Sequence, residues 1–161
     1  MTLPLAFIAL GSNLGDSAGN VLRAMTRLEA FSKHPILKSS LWQTEPIDCP
    51  PGSPNFVNAI VGLVPFADET PESLLLKLQA LEKEFGRKPK KIHNEPRPLD
   101  LDLICFGNET RASKELTLPH PRAHQRRFVL GPLAELKPDL ILPAQTKTVA
   151  QLLAAFPPGN G

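Results

Sequence analysis

The feature that most constrains this chain is the alternation of leucine and aspartate over residues 99–103. Residues two apart on a β-strand share a face, so the leucines are predicted to face a core while Asp100 and Asp102 lie together on the opposite face. Two carboxylates so close repel each other, at a cost that grows as water is excluded. A Mg²⁺ ion removes that cost, and it is commonly held by one or two carboxylates plus substrate phosphates. The same alternation is also the ordinary pattern of a half-buried strand with an idle acidic face.

Basic residues flank this strand on both sides, and they help to decide between a metal site and an idle acidic face. Residues 86–98 carry five Lys or Arg against one acid, and residues 120–127 carry three Arg, two His and no acid. Guanidinium groups match phosphate oxygens bidentately, while carboxylates suit a metal. Arg87, next to a glycine, and Arg97, between prolines that restrict its backbone, are predicted to make fixed contacts. The combination favours a metal–polyphosphate site over an idle acidic face.

The length and composition predict one domain over residues 1–161, large enough for a substantial core. The apolar run over residues 3–10 has no basic segment before it, which argues against a signal peptide, and no stretch approaches a membrane span. Cys49 and Cys105 lack a metal-binding spacing, and Cys105 is expected to be a packed thiol. These features predict a cytoplasmic protein in a reducing setting, with no membrane partner, and we expect a monomer.

The hydrophobic periodicity predicts the order strand, helix, strand, strand, helix, strand. The strands are expected over residues 5–10, 36–44, 56–64 and 99–106, the helices over residues 18–31 and 71–85, and a short strand and two helices over residues 116–118, 128–136 and 149–156. Thr70 and Thr148 are the expected N-caps of the helices that follow them, and Gly86 is expected to end the second helix. This order is that of an α+β, ferredoxin-like βαββαβ sandwich with a C-terminal extension.

Three other features bear on function. Asn58 is a polar amide in an apolar predicted strand, so it either faces solvent or reads the edge of a heterocycle, with Phe56 on the same face stacking on the ring.

The glycine-rich turn over residues 11–16 lacks the dinucleotide and Walker patterns and is interpreted as mainly structural. The loop over residues 45–55 is expected to be functional, because loops of this length without structure are uncommon.

With these residues laid out, the sequence resembles the 6-hydroxymethyl-7,8-dihydropterin pyrophosphokinase family over nearly the whole chain. The residues that carry the resemblance are those at 11–15, 44–46, 56–59, 82, 86–87, 96–102, 118–120, 126, 128 and 132–133. So many matches in the same order and spacing make chance agreement a poor explanation. The resemblance implies transfer of the β,γ-diphosphate of ATP to the hydroxymethyl oxygen of the pterin, giving the pterin diphosphate and AMP in folate biosynthesis.

The resemblance also implies roles for individual residues. Two Mg²⁺ ions bridging the triphosphate would be held by Asp100 and Asp102, which with Arg87 and Arg97 form the implied catalytic group. The implied ATP contacts are Leu75, Glu82, Arg87, Arg97, Leu103, Thr117, His120 and Arg126. The implied pterin contacts are Thr44, Glu45, Pro46, Ile47, Phe56, Asn58, Asp100 and Phe128. The two phenylalanines would sandwich the ring, and the hydroxyl would attack the β-phosphorus in line.

Two other hypotheses stay open at this point. The sequence departs from the family pattern at Pro89 and over residues 93–95, which predicts weaker closure of this segment over ATP. A nucleotide-binding protein without catalysis is therefore a second hypothesis. A third is an RNA-binding module, since similar sheets with basic loops bind RNA. However, the paired-aromatic pattern of such modules is absent and aromatics make up only 6% of the residues, so no nucleic-acid partner is expected.

Overall fold

The computed structural model describes residues 4–45, 50–87 and 96–156. In chain order the elements are β1 (Ala6–Ser12), α1 (Ser17–Leu28), β2 (Leu37–Lys38), β3 (Trp42–Thr44), β4 (Phe56–Leu63), α2 (Pro71–Glu84), β5 (Asp100–Phe106), β6 (Arg111–Ala112), β7 (Thr117–Leu118), α3 (Arg127–Leu136) and α4 (Val149–Ala154). Short 3-10 turns follow α1 and precede α3. Within the described ranges, the helices are all too short or too polar to cross a membrane.

The main sheet has the strand order β2–β4–β1–β5, and β3 also pairs with β4. Its pairings are antiparallel throughout, with β1 and β4 at the centre. The helices α1 and α2 connect strands of this sheet, as the predicted arrangement requires. The α+β, ferredoxin-like sandwich with a C-terminal extension is therefore confirmed.

Two hydrophobic cores lie on opposite faces of the sheet. One contains the buried faces of α1 and α2, and the other contains those of α3 and α4. Neighbouring residues of β1 alternate between them, with Ile8 in the first core and Phe7 in the second. The leucines of residues 99–103 all lie in the first core and are at most 5% exposed. Their predicted inward face is thus confirmed, and the aspartates lie on the face that α3 and α4 share.

The predicted second strand, over residues 36–44, is divided into β2 and β3. Ser39 N donates to Ile60 O at 2.9 Å, while Ser39 Oγ accepts a hydrogen bond from Ile60 N at 2.8 Å. The serine hydroxyl takes the place of a backbone carbonyl in the ladder, so the chain leaves regular pairing at this residue. As a result β2 and β3 pair with opposite ends of β4.

The remaining differences lie at element ends and on one helix face. β1 extends to Ser12, two residues beyond the predicted strand, and β6 had no sequence signal. The hydrophobic periodicity of the first helix favours a buried Leu22, yet this side chain is 52% exposed. The caps at Thr70 and Thr148 are confirmed. Cys105 is a packed thiol as predicted, and burial raises its pKa to about 12.

Candidate active site

A cavity of about 510 Å³ opens on the sheet face that carries the aspartates. Its walls come from β1, β3, β4, β5 and the residues just before β5, together with the segment between β7 and α3 and the first turn of α3. The predicted site residues that line it are Thr44, Glu45, Phe56, Asn58, Arg97, Asp100, Asp102, His120, Arg126 and Phe128. The fold therefore brings residues from separate parts of the chain, 44 to 128, into one space.

Five residues predicted to contact ATP do not line this cavity: Leu75, Glu82, Arg87, Leu103 and Thr117. Leu103 is 4% exposed and lies with the other leucines of β5 in the opposite core. Leu75 packs against that same core, and Thr117 is exposed on β7. Their contacts with ATP stay predictions. Some sequence expectations fall on residues that the structure does not describe. They concern Pro46, Ile47, Cys49, Pro89 and residues 93–95.

A glycine of β1 keeps the middle of the cavity open. Gly11 pairs with Asn58 of β4 on one side and with Asp100 of β5 on the other. A Cβ atom at this position would lie 3.3 Å from Asn58 Oδ1 and 3.6 Å from the ring of Phe56. Any larger residue would therefore crowd the amide and the ring where they border the cavity.

The acidic half of the cavity is tied to α2 through a partly buried ion-pair group. Arg87 Nη1 lies 2.6 Å from Asp100 Oδ1 and 2.9 Å from Glu82 Oε2. Glu82 Oε2 also accepts a hydrogen bond from Leu101 N at 2.8 Å. Glu82 and Arg87 do not line the cavity. Arg87 pairs with the carboxylate of Asp100, and Glu82 pairs with Arg87. The pKa of Glu82 is raised, and burial is the main cause.

Asp102 lines the same half of the cavity, two residues after Asp100 on β5. Burial, followed by the negative charges of Asp100 and Glu82, raises the pKa of Asp102 to about 7. The guanidinium groups of Arg126 and Arg87 oppose this shift without cancelling it. The negative charge of Asp100, the predicted source of repulsion, is therefore the second cause of the raised pKa of Asp102, after burial.

Cations and a neutral histidine border the two carboxylates. Arg97 Nε lies 3.6 Å from Asp100 Oδ2. His120 Nδ1 accepts a hydrogen bond from Arg122 N at 3.2 Å, which leaves the ring proton on Nε2. Burial, with the charges of Arg126 and Arg122, lowers the pKa of His120 to about 4. Near neutral pH the histidine is therefore an uncharged hydrogen-bond donor.

The other half of the cavity is aromatic, with one oriented amide. Asn58 is 8% exposed and lines the cavity, so the alternative of a solvent-facing amide is wrong. Its Nδ2 donates to Thr44 Oγ1 at 2.7 Å, which fixes the orientation of the amide. The rings of Phe56 and Phe128 border the same space. A flat heterocycle with polar edges matches these surroundings.

Asn13 is a residue whose importance the sequence reasoning missed. Its Oδ1 accepts a hydrogen bond from Arg97 N at 2.9 Å, and its backbone N donates to Arg97 O at 3.1 Å. Its Nδ2 donates to Pro54 O at 3.4 Å. This buried side chain connects the segment before β5 to the loop before β4. The turn after β1 therefore positions the backbone of Arg97, which agrees with its interpretation as mainly structural. The place of Asn13 in the family motif was the one sequence signal for these contacts.

The arrangement defines a class of enzyme. Among the described residues, no group of three or more His, Cys, Asp or Glu could hold a metal by itself. The two aspartates can hold a divalent cation together with ligands from a substrate, and the arginines beside them suit phosphate. A ring slot opens into the same space. Such a site is typical of an enzyme that transfers a phosphate group between a nucleotide and a small molecule.

The comparisons with known proteins specify the family. A sequence model described as 7,8-dihydro-6-hydroxymethylpterin-pyrophosphokinase (HPPK) matches residues 7–138. The chain belongs to this family of pyrophosphokinases. It is 36% identical over 152 residues to the 2-amino-4-hydroxy-6-hydroxymethyldihydropteridine pyrophosphokinase of Haemophilus influenzae, covering 94% of this chain and 92% of that protein. The Pseudomonas aeruginosa protein of the same name is 38% identical over 155 residues, covering 94% and 91%.

Solved structures support the fold. A Plasmodium falciparum HPPK-DHPS structure matches 95% of this chain with a TM-score of 0.72 at 14% identity. An HPPK-DHPS complex with substrates matches 96% of this chain with a TM-score of 0.74 at 11% identity. The chain spans 43% and 45% of those two longer chains. At such low identity, the likeness shows a shared fold.

Proposed function

We propose that the chain transfers the diphosphate of ATP to the hydroxymethyl group of 6-hydroxymethyl-7,8-dihydropterin, giving the pterin diphosphate and AMP in folate biosynthesis. One observation carries the proposal: an aromatic slot and a pair of carboxylates with arginines open into a single cavity. Such a site can hold a flat heterocycle beside a metal–triphosphate. Membership of the pyrophosphokinase family supports the same reaction.

The aromatic half binds and orients the pterin. Phe56 and Phe128 stack on the ring, and stacked aromatic pairs contribute roughly 0.5–1.5 kcal/mol beyond their buried area. The amide of Asn58, oriented by Thr44, hydrogen-bonds the polar edge of the ring. This binding directs the hydroxymethyl group toward the carboxylates.

The charged half binds the triphosphate. The donor set of Asp100 and Asp102 consists of oxygens alone, which fits Mg²⁺, and we propose two ions bound with ATP. Bound Mg²⁺ supplies charge neutralisation worth several kcal/mol in such reactions. Arg97 and Arg126 neutralise phosphate oxygens, and the Nε2–H of His120 donates to one. Arg87 keeps Asp100 in place through the ion pair behind β5.

Diphosphate transfer of this kind depends on alignment and charge neutralisation more than on covalent help from the protein. The pterin oxygen attacks the β-phosphorus, and a new oxygen–phosphorus bond forms. The bond from that phosphorus to the oxygen shared with the α-phosphate breaks, so AMP leaves with that oxygen. The hydroxyl proton passes to solvent or to a carboxylate of the site.

The main competing hypothesis is a nucleotide-binding protein without catalysis. The meeting of the carboxylates, Arg97 and the ring slot in one cavity favours an enzyme. The monomeric state, the cytoplasmic location, the single domain over residues 1–161 and the absence of a nucleic-acid partner stay predictions from the sequence.

The test is to incubate the protein with ATP, Mg²⁺ and the hydroxymethyl dihydropterin, and to separate the products by chromatography. We expect one AMP for each pterin diphosphate, and no AMP when the pterin is left out. Release of ADP, or ATP hydrolysis that is indifferent to pterin, would contradict the proposal. Nucleotide binding without any product would favour the non-catalytic hypothesis.

A further inference from the structure

Trp42 of β3 lies directly against the backbone of α3. A Cβ atom placed on Gly131 would lie 2.2 Å from Cη2 and 2.6 Å from Cζ3 of the indole. No side chain larger than hydrogen fits at this position unless the indole moves. Glycine destabilises the interior of a helix. Gly131 therefore weakens α3 itself but allows the close contact with the indole.

The edge of the same indole is held one turn further along α3. Trp42 Nε1 donates to Glu135 Oε2 at 2.9 Å. The carboxylate of Glu135 also accepts hydrogen bonds from Ser40 N at 2.8 Å and from Ser40 Oγ at 2.7 Å. These contacts involve Ser40, Trp42, Gly131 and Glu135, which we call the Trp42 clasp. The clasp fixes β3 against α3 through both the face and the edge of one ring.

The clasp joins α3, which carries Phe128, to β3, which pairs with the strand that carries Phe56 and Asn58. Trp42 pairs with Asn58 in the sheet, and Thr44 of the same strand pairs with Phe56. On the other side, Phe128 is three residues before Gly131, almost one helical turn away. Trp42 does not itself line the cavity. Its influence on a bound ring must therefore pass through its neighbours.

We propose that the Trp42 clasp sets the spacing between Phe128 and the Phe56–Asn58 side of the slot, and so determines its affinity for a flat heterocycle of pterin size. Trp42 and Gly131 are thus positioning residues, in contact with the elements that bind the ring. This inference rests on the proposed function. A clasp that served only to stabilise the fold would leave ring affinity unchanged.

The test measures pterin binding by calorimetry in Gly131→Ala, Trp42→Phe and the double variant. In Gly131→Ala the new methyl group displaces the indole, so we expect the pterin dissociation constant to rise about tenfold while that of a non-hydrolysable ATP analogue changes less than twofold. Trp42 is the single tryptophan of the sequence, so a red shift of its emission reports the displacement. In Gly131→Ala/Trp42→Phe the smaller ring makes room for the methyl group, and pterin affinity should return to that of Trp42→Phe alone.

Two further variants separate positioning from stability. Val149→Ala removes a buried contact of α4 in the same core and should lower the melting temperature without changing pterin affinity. Glu135→Gln keeps the size of the side chain but weakens the edge contacts, and should raise the pterin dissociation constant even if Gly131→Ala does not fold. Unchanged pterin affinity in both Gly131→Ala and Glu135→Gln would overturn the clasp proposal alone. Failure of the parent protein to bind pterin would instead overturn the proposed function and the clasp with it.

Discussion

The guanidinium of Arg87 joins the carboxylate of Asp100 to α2: Arg87 Nη1 lies 2.6 Å from Asp100 Oδ1. The same nitrogen lies 2.9 Å from Glu82 Oε2. All three side chains are largely buried, so water screens their charges less than it screens a surface pair. The protein itself thus supplies a counter-charge for the carboxylate that we propose to bind Mg²⁺.

Replacing this arginine should affect both stability and rate. In Arg87→Met, Asp100 and Glu82 lose their shared counter-charge, so we expect a lower melting temperature without metal and a larger rise on adding Mg²⁺. The value of kcat/KM should fall about 100-fold or more, as when one charge-stabilising donor is removed from an active site. Arg27→Met is a matched control, because Arg27 makes an exposed pair with Glu84 and such pairs contribute little. Equal behaviour of the two variants would contradict this role of Arg87.

The aromatic slot gives a second prediction. Phe128→Ala should weaken pterin binding about tenfold or more, since stacking and apolar burial are both lost. The affinity for an ATP analogue should stay nearly the same, because Phe128 is assigned to the ring half of the site. Phe66→Ala, at an exposed phenylalanine outside the cavity, is the control. Calorimetry with each ligand separately tests the prediction, and an unchanged pterin dissociation constant would remove Phe128 from the slot.

The raised pKa of Asp102 predicts an unusual pH dependence of the free energy of unfolding in the absence of metal. Its pKa is about 7 in the folded protein against 3.8 for the ordinary group. At a pH between these two values, Asp102 is protonated in the folded protein but ionised in the unfolded chain. The stabilising contribution is fully present below pH 3.8 and is lost as the pH rises through about 7. Asp102→Asn removes the titration, so the variant should be more stable than the parent at pH 8, with a difference that shrinks toward pH 5.5. Thermal melts in chelator test this, and a difference independent of pH would contradict it.

Much of the fold could be predicted because its signals are local. The alternation in β5, the caps at Thr70 and Thr148 and the periodicity of α2 each depend on residues close in sequence. The division of β2 from β3 could not be predicted, because it depends on Ser39 Oγ meeting Ile60 N across 21 residues. The exposure of Leu22 likewise depends on how α1 lies against the sheet rather than on its own periodicity.

The candidate site was predictable to a smaller extent. The alternation of β5 indicated the paired carboxylates, and the family resemblance supplied most of the remaining lining. The contacts of Asn13 with Arg97 and Pro54 span 84 and 41 residues. The hydrogen bond between Trp42 and Glu135 spans 93 residues. No periodicity or capping rule operates over such separations, so residues that position the site from behind emerge only from the three-dimensional structure.

The central claim is that Asp100 and Asp102 hold the metal through which ATP reacts. It is tested most directly by the single-turnover rate of Asp100→Asn and Asp102→Asn as a function of Mg²⁺ concentration, beside thermal melts without metal. We predict that each variant folds, since neither side chain lies in the leucine core, and that each loses several kcal/mol of transition-state stabilisation. An idle acidic face would instead leave both rates near that of the parent. Parent-like turnover by either variant at low Mg²⁺, or failure of both to fold, would contradict the account.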